Sequence, residues 1–334
     1  MRKRGDTPGD NSSLDLFPAI EPNRHGMLAV DNRHTLYWEE SGNSRGIPVV
    51  FLHGGPGAGV SPNHRRFFDP DAYRIFLFDQ RGAGRSTPYA DIEDNTTEHL
   101  ISDMEMLRKE FGVENWLVFG GSWGAMLAVA YASRYVERCL GLILRGVFLG
   151  RKFELDWFFG GVRAIHPEAW ERFVGFLPEE ERNDVLNAYY QRLTHSASKI
   201  NNPAARAWTA FELECSTLSI SSSAHVNSVS GLPSLALARI EAHYFVNKMF
   251  LDRNLLDAVP NIAHLPCVIV QGRYDMVCPI VTANDLHRAW PSSRRVVIND
   301  AGHSAMEPTI RGGLVAATEA FKINQNFSTI ISTP

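Results

Sequence analysis

The sequence predicts an α/β protein with a mostly parallel central sheet flanked by helices and an inserted helical cap. Three observations carry that expectation. Short apolar runs of strand length alternate with helically spaced apolar residues, which is the pattern of parallel strands joined by crossover helices. A Gly-x-Ser-x-Gly pentapeptide, Gly120-Gly121-Ser122-Trp123-Gly124, joins one such run to a helix. The strand pattern lapses near Arg151 and resumes only after Pro260. The expected division is therefore a discontinuous core of residues 14–150 and 261–334, with residues 151–260 as the cap.

Strands are expected at Val49 to His53, Ile75 to Asp79, Trp116 to Gly120, Leu140 to Arg145, Cys267 to Gly272 and Arg295 to Ile298. Gly26 to Val30 and Thr35 to Glu39, separated by Asp31-Asn32-Arg33-His34, read as an antiparallel hairpin at the sheet edge. Leu100, Ile101, Met104, Leu107 and Phe111 recur at helical spacing behind Asn95-Thr96-Thr97, which offers N-cap residues. In the cap, helices are expected over 167–176, 179–193 and 204–214. The acidic run Glu179-Glu180-Glu181 reads as the solvated first turn of its helix.

The chain has 334 residues, 44% hydrophobic and 21% charged, so it can bury a large core beneath a solvated surface. Lys+Arg 33 against Asp+Glu 37, with no basic stripe, argues against a nucleic-acid partner. No apolar run approaches the roughly 20 residues that span a bilayer, so no membrane partner is expected. The basic N-terminus runs into Gly, Asp, Asn and Ser rather than an apolar signal core, and Cys139, Cys215, Cys267 and Cys278 form no Cys-x-x-Cys pair. A cytoplasmic protein with loose ends and free thiols is expected. The histidines show no metal-binding spacing and no phosphate-loop motif is complete, so neither a metal nor a cofactor is expected. Oligomeric state is left open.

Ser122 is the candidate nucleophile. A serine on a tight strand-to-helix turn has a strained backbone, and glycines on either side leave room for it. It needs a base, and the base needs a carboxylate to hold its tautomer. In the order serine, acid, histidine, Asp275 follows the strand ending at Gly272 and His303 follows the strand ending at Ile298. Asp300 is the competing acid. The loop His53-Gly54-Gly55-Pro56-Gly57 can aim an N–H at a developing oxyanion, with Gly55 the preferred donor and Gly54 the alternative. The second donor is the N–H of Trp123.

His53-Gly54-Gly55-Pro56-Gly57, Asp79-Gln80-Arg81-Gly82-Ala83-Gly84-Arg85-Ser86, Gly120-Gly121-Ser122-Trp123-Gly124, Gly272-Arg273-Tyr274-Asp275 and Ala301-Gly302-His303-Ser304 together resemble the prolyl aminopeptidases, or proline iminopeptidases, of the α/β-hydrolase fold. The resemblance runs from about Leu16 to Phe321. It implies release of N-terminal proline from peptides through an acyl-enzyme, with Ser122 as nucleophile, His303 as base and then acid, and Asp275 orienting it. It also implies that Glu212 and Glu241 bind the substrate amine and that Phe148 lies beside the proline ring with Arg145 nearby. Core packing is the other reading of Phe148. Cys278, three residues after Asp275, reads either as a thiol near the site or as a buried small hydrophobe, and Asp79-Gln80-Arg81 is expected to support the site through buried polar contacts. The alternative function is an esterase or amidase acting on another small substrate, which would not need the paired acids.

Overall fold

The computed structural model describes residues 15–218 and 234–333. The expected loose segment before Asp15 lies outside the described residues. Eight strands, β1 (Arg24–Ala29), β2 (Thr35–Gly42), β3 (Ile47–Leu52), β4 (Tyr73–Phe78), β5 (Trp116–Gly121), β6 (Cys139–Arg145), β7 (Cys267–Gly272) and β8 (Arg294–Ile298), form one sheet in the order β1-β2-β4-β3-β5-β6-β7-β8. β1 and β2 pair antiparallel, as do β2 and β4; every later pairing is parallel. The eight expected strands are all present, within a few residues of their expected limits.

β5 is buried at all six positions, as expected of a central parallel strand covered on both faces. On one face Val50, Phe76 and Val118 pack with Leu100 and Met104 of α1 (Thr97–Glu110) and Leu127 of α2 (Trp123–Arg134). On the other, Phe51, Phe119 and Ile143 pack with Phe67, Leu314 and Phe321, the last two from the C-terminal helix Pro308–Asn324. The Thr96 hydroxyl accepts the His99 N–H, so the first turn of α1 is capped as its sequence suggests.

Between β6 and β7 the described residues carry helices and no strand: α3 (Lys152–Phe158), α4 (Pro167–Gly175), α5 (Val185–Leu193), α6 (Ser198–Ser216) and α7 (Ser234–Val246). Two expectations need correction here. The helix expected over 179–193 is divided, because Glu179–Asp184 is a 3₁₀ turn and the Asp184 carboxylate caps α5 by accepting the Asn187 N–H. Helix α6 begins six residues before Ala204 and carries Pro203 inside it. Burial of Ala204, Ala205, Trp208 and Phe211 along one face outweighs the hydrogen bond that proline cannot donate.

The tail after Asn324 is also not loose. Val297 donates to Thr333 Oγ1 at 2.6 Å, Arg295 donates to Ser332 Oγ at 3.1 Å, and Thr333 donates to the Arg295 carbonyl at 2.8 Å. The tail thus takes up polar backbone groups on the outer edge of β8, an edge that would otherwise be open to pairing.

Candidate active site

Ser122 stands between β5 and α2 with φ 58° and ψ −123°. A positive φ costs a non-glycine residue about 1–3 kcal/mol and persists only where the surroundings enforce it. The flanking glycines show what enforces it: a Cβ on Gly120 would lie 2.2 Å from the Gly124 carbonyl oxygen, and one on Gly124 would lie 2.2 Å from the Leu52 carbonyl oxygen. The motif is glycine-rich because strand, turn and helix touch through backbone.

Asp275 and His303 meet as the chain order suggests. His303 Nδ1 lies 2.8 Å from Asp275 Oδ2, both residues being buried. Asp300 is exposed, and the acid on the ring is Asp275. Sequence reasoning missed how tightly this pair is held. Gln271 on β7 donates from Nε2 to Asp275 Oδ2 and to the Cys278 carbonyl, each at 3.0 Å, while its Oε1 accepts the Val147 N–H. The Cys278 N–H donates to Asp275 Oδ1 at 2.7 Å. Gly146 presses on the same pair: a Cβ there would meet His303 Cε1 at 2.9 Å and Asp275 Oδ2 at 3.2 Å. No local pattern marks Gln271 or Gly146, because their importance lies in partners more than 100 residues away or across a turn.

Ser122 and His303 line the same cavity, but no hydrogen bond joins them. The Ser122 hydroxyl lies 3.8 Å from Cys278 Sγ. His303 Nε2 instead faces Arg145 Nη1 at 3.1 Å, and the same Nη1 donates to the His303 carbonyl at 2.9 Å. Since the guanidinium can only donate, Nε2 is the acceptor and the ring proton sits on Nδ1, toward Asp275. That is the tautomer a general base needs. The serine–histidine bond is commonly long until substrate arrives.

Among the described residues, no acceptor takes up the N–H of Gly55 or of Trp123, which is the first residue of α2. Gly54 sits closer to the nucleophile side chain: a Cβ on it would lie 3.3 Å from Ser122 Cβ. The Asp79-Gln80-Arg81 segment braces this wall. Gln80 donates from Nε2 to the His53 carbonyl at 3.0 Å and accepts the Trp123 indole N–H at 3.1 Å, while Arg81 is bidentate on Asp103. Asp79 accepts the Val60 and Arg85 N–H groups.

Two cavities meet at Ser122, which with Gly55 lines both. The first is a narrow, mostly apolar compartment bounded by Phe148, Leu155, Phe158, Phe245 and Glu241. Phe148 is buried and also forms part of this wall. The second, of about 210 Å³, is bounded by Gly54, His64, Arg145, His303 and Glu212. Arg145 and Phe148, grouped together by the sequence reading, therefore face different compartments. Burial and the nearby His53 and Arg145 push the His64 imidazole down to about 3, which keeps it neutral.

Glu212 on α6 and Glu241 on α7 are brought together under the sheet's carboxyl edge and hydrogen-bond to each other. Trp208 donates to Glu241 Oε2 at 2.6 Å. Burial raises both carboxyls above their ordinary range, and the mutual contact raises Glu241 while lowering Glu212. Glu212 Oε2 is buried with no hydrogen-bond partner. Glu154, a third buried acid on the first cavity, is already occupied by Arg151 and the Leu149 N–H.

Asp275, Cys278 and His303 offer oxygen, sulfur and nitrogen atoms within 4.8 Å of one another. A metal there would have to break the Asp275–His303 hydrogen bond, so the set fits proton transfer better than metal ligation. No described helix is long and apolar enough to cross a membrane.

Residues 47–308 match the family model of the α/β-hydrolase fold. The chain is 52% identical over 311 residues to the proline iminopeptidase of Arabidopsis thaliana, covering 92% of this chain and 82% of that protein. It is 47% identical over 309 residues to the proline iminopeptidase of Xylella fastidiosa strain 9a5c, covering 92% and 99%. The chain belongs to the proline iminopeptidase family of α/β-hydrolases. Among solved structures, the proline iminopeptidase of Mycobacterium smegmatis superposes with a TM-score of 0.60 at 17% identity over 90% of this chain and 99% of that one, a likeness of fold. Membership agrees with the resemblance read from the motifs, and the 311-residue match spans more than the motif blocks alone.

Proposed function

We propose that this chain is a serine exopeptidase that releases N-terminal proline from peptides. The observation that carries the reading is the Glu212–Glu241 pair beside the nucleophile, two facing carboxyls held above their ordinary range by burial, with Glu212 Oε2 buried and taken up by no donor. An unpaired buried carboxylate is costly, and a cationic secondary amine supplies both the charge and the N–H donors that it lacks. A neutral ester offers neither. The proline ring enters the apolar compartment beside Phe148, between Phe245 and Val277. The segment 151–260 acts as a cap, and its helices α6 and α7 supply the two acids.

In acylation the Ser122 hydroxyl proton passes to His303 Nε2 as Oγ bonds to the prolyl carbonyl carbon. The resulting oxyanion lies against the N–H groups of Gly55 and Trp123. His303 then gives its proton to the leaving nitrogen as the C–N bond breaks. Water, deprotonated by the same imidazole, cleaves the ester and frees proline. Asp275 holds the tautomer and faces the imidazolium throughout. The four cysteines are unpaired, which suits the cytoplasmic setting expected from the sequence.

The test compares a chromogenic proline amide, its N-acetylated form and a short-chain ester, with Ser122→Ala as control. Selective cleavage of the free-amine substrate is the expected result. Ester-only turnover would keep the nucleophile and overturn the proline reading.

A further inference from the structure

The half-buried Arg145 guanidinium lines the larger cavity with no Asp or Glu within ion-pair distance among the described residues; the nearby charge that favours it, Asp275, is already bound to His303. Residues 219–233, between α6 and α7, contain no acidic side chain. Among the described residues, the hydrogen bonds of the Arg145 guanidinium go from Nη1 to His303 alone. Its place is fixed by backbone: a Cβ on Gly121 would lie 2.6 Å from Arg145 Nη2, so the fork rests on the strand leading into the nucleophile.

Position relative to the reaction gives this unpaired cation a use. With proline on the Glu241 side of Ser122, the departing residue lies on the Arg145 side. His303 Nε2 must reach the scissile nitrogen to protonate it, and Arg145 Nη1 is 3.1 Å from Nε2. In a dipeptide the terminal carboxylate carbon is only two bonds from that nitrogen. We propose that Arg145 receives the α-carboxylate of the departing residue, which makes dipeptides with a free C-terminus the preferred substrate class. The inference rests on the exopeptidase reading above and specifies its leaving side.

The same contact couples binding to chemistry. While Nη1 donates to Nε2, the imidazole lone pair is not available to the Ser122 proton. A carboxylate is a stronger acceptor than a neutral imidazole, so the substrate draws the guanidinium away and frees the base. The acyl-transfer steps are unchanged. The amino acid departs as a neutral amine with its carboxylate on Arg145, and water then enters the emptied compartment. Of the other groups on this cavity, His64 is neutral and Glu212 is taken up by the substrate amine in the exopeptidase reading, leaving Arg145 as the cation that faces the carboxylate.

The experiment measures kcat and KM for Pro-Gly, Pro-Gly amide and proline 4-nitroanilide with the wild type, Arg145→Lys and Arg145→Met. The wild type is expected to favour Pro-Gly over its amide by about tenfold or more in kcat/KM, the worth of one charge-assisted bond. Arg145→Met should bring the ratio to within about twofold, and Arg145→Lys should retain part of it. Because each ratio is internal to one protein, a general loss of structure does not mimic the effect. A wild-type ratio near one, or an unchanged ratio in Arg145→Met, overturns the inference while prolyl nitroanilide cleavage still upholds the exopeptidase. Absence of turnover on all three substrates overturns the exopeptidase reading itself.

Discussion

The Trp208 indole donates to Glu241 Oε2 at 2.6 Å, from one cap helix to the next, and thereby holds a carboxyl group in a place where water cannot solvate its charge. Glu241 meets Glu212 there, and the two cannot both ionise cheaply.

Stability should therefore depend on pH through this pair. A carboxyl whose folded value lies above its unfolded one binds more protons when native, so its contribution to stability falls as pH rises from the ordinary value of 4.5 through the raised one. Glu212→Gln should raise the melting temperature at pH 7 by about 2 °C or more, each pKa unit being worth about 1.4 kcal/mol, and should confer little at pH 4. Thermal melts of both proteins across this range check the sign; a Gln variant less stable at pH 7 than at pH 4, relative to wild type, contradicts it.

The same pair should govern recognition of the amine. Either Glu212→Gln or Glu241→Gln should raise KM for the free-amine prolyl amide by about tenfold or more, with kcat falling less. Steady-state kinetics at fixed pH tests this, and unchanged preference for free-amine over N-acetylated substrate would remove the acids from that role.

Ser122→Ala should lower kcat by about 10³-fold or more while the fold persists. Ser122→Gly should be equally inactive but more stable than Ser122→Ala by about 1 kcal/mol, because glycine adopts φ 58° without strain. Denaturant titration of the two variants separates loss of the nucleophile from relief of the backbone.

Gln271→Leu should reduce kcat by about 10–100-fold with a smaller change in KM, since it frees the Asp275 carboxylate and leaves the Val147 N–H without its acceptor. Equal losses in kcat and folded fraction, seen by circular dichroism, would assign Gln271 a purely structural role.

Glycine substitutions should split sharply. Gly124→Ala places a Cβ 2.2 Å from a backbone oxygen and should prevent accumulation of folded protein, whereas Gly112→Ala meets nothing within 4 Å and bears only the strain of φ +61°. The second should cost about 1 kcal/mol. Soluble yield and melting temperature report both.

Much of this protein was legible in its sequence because the determining interactions are local. Strand length, helical periodicity and the backbone crowding that demands glycine at 120 and 124 leave marks within a few residues. The order of Ser122, Asp275 and His303, each at the end of a strand, follows from a parallel sheet that places those ends on one side. What tertiary structure alone decided depends on partners distant in the chain. The tail seated on β8, Gln271 behind Asp275, and the separation of Arg145 from Phe148 into two compartments have no periodic signature. Glu212 and Glu241 could be picked out only by resemblance, since an acid on a helix reads as a solvated one until a second helix packs over it. Packing decides which charges are stripped of water, and in this fold that selects the two facing carboxyls whose pKa values burial raises.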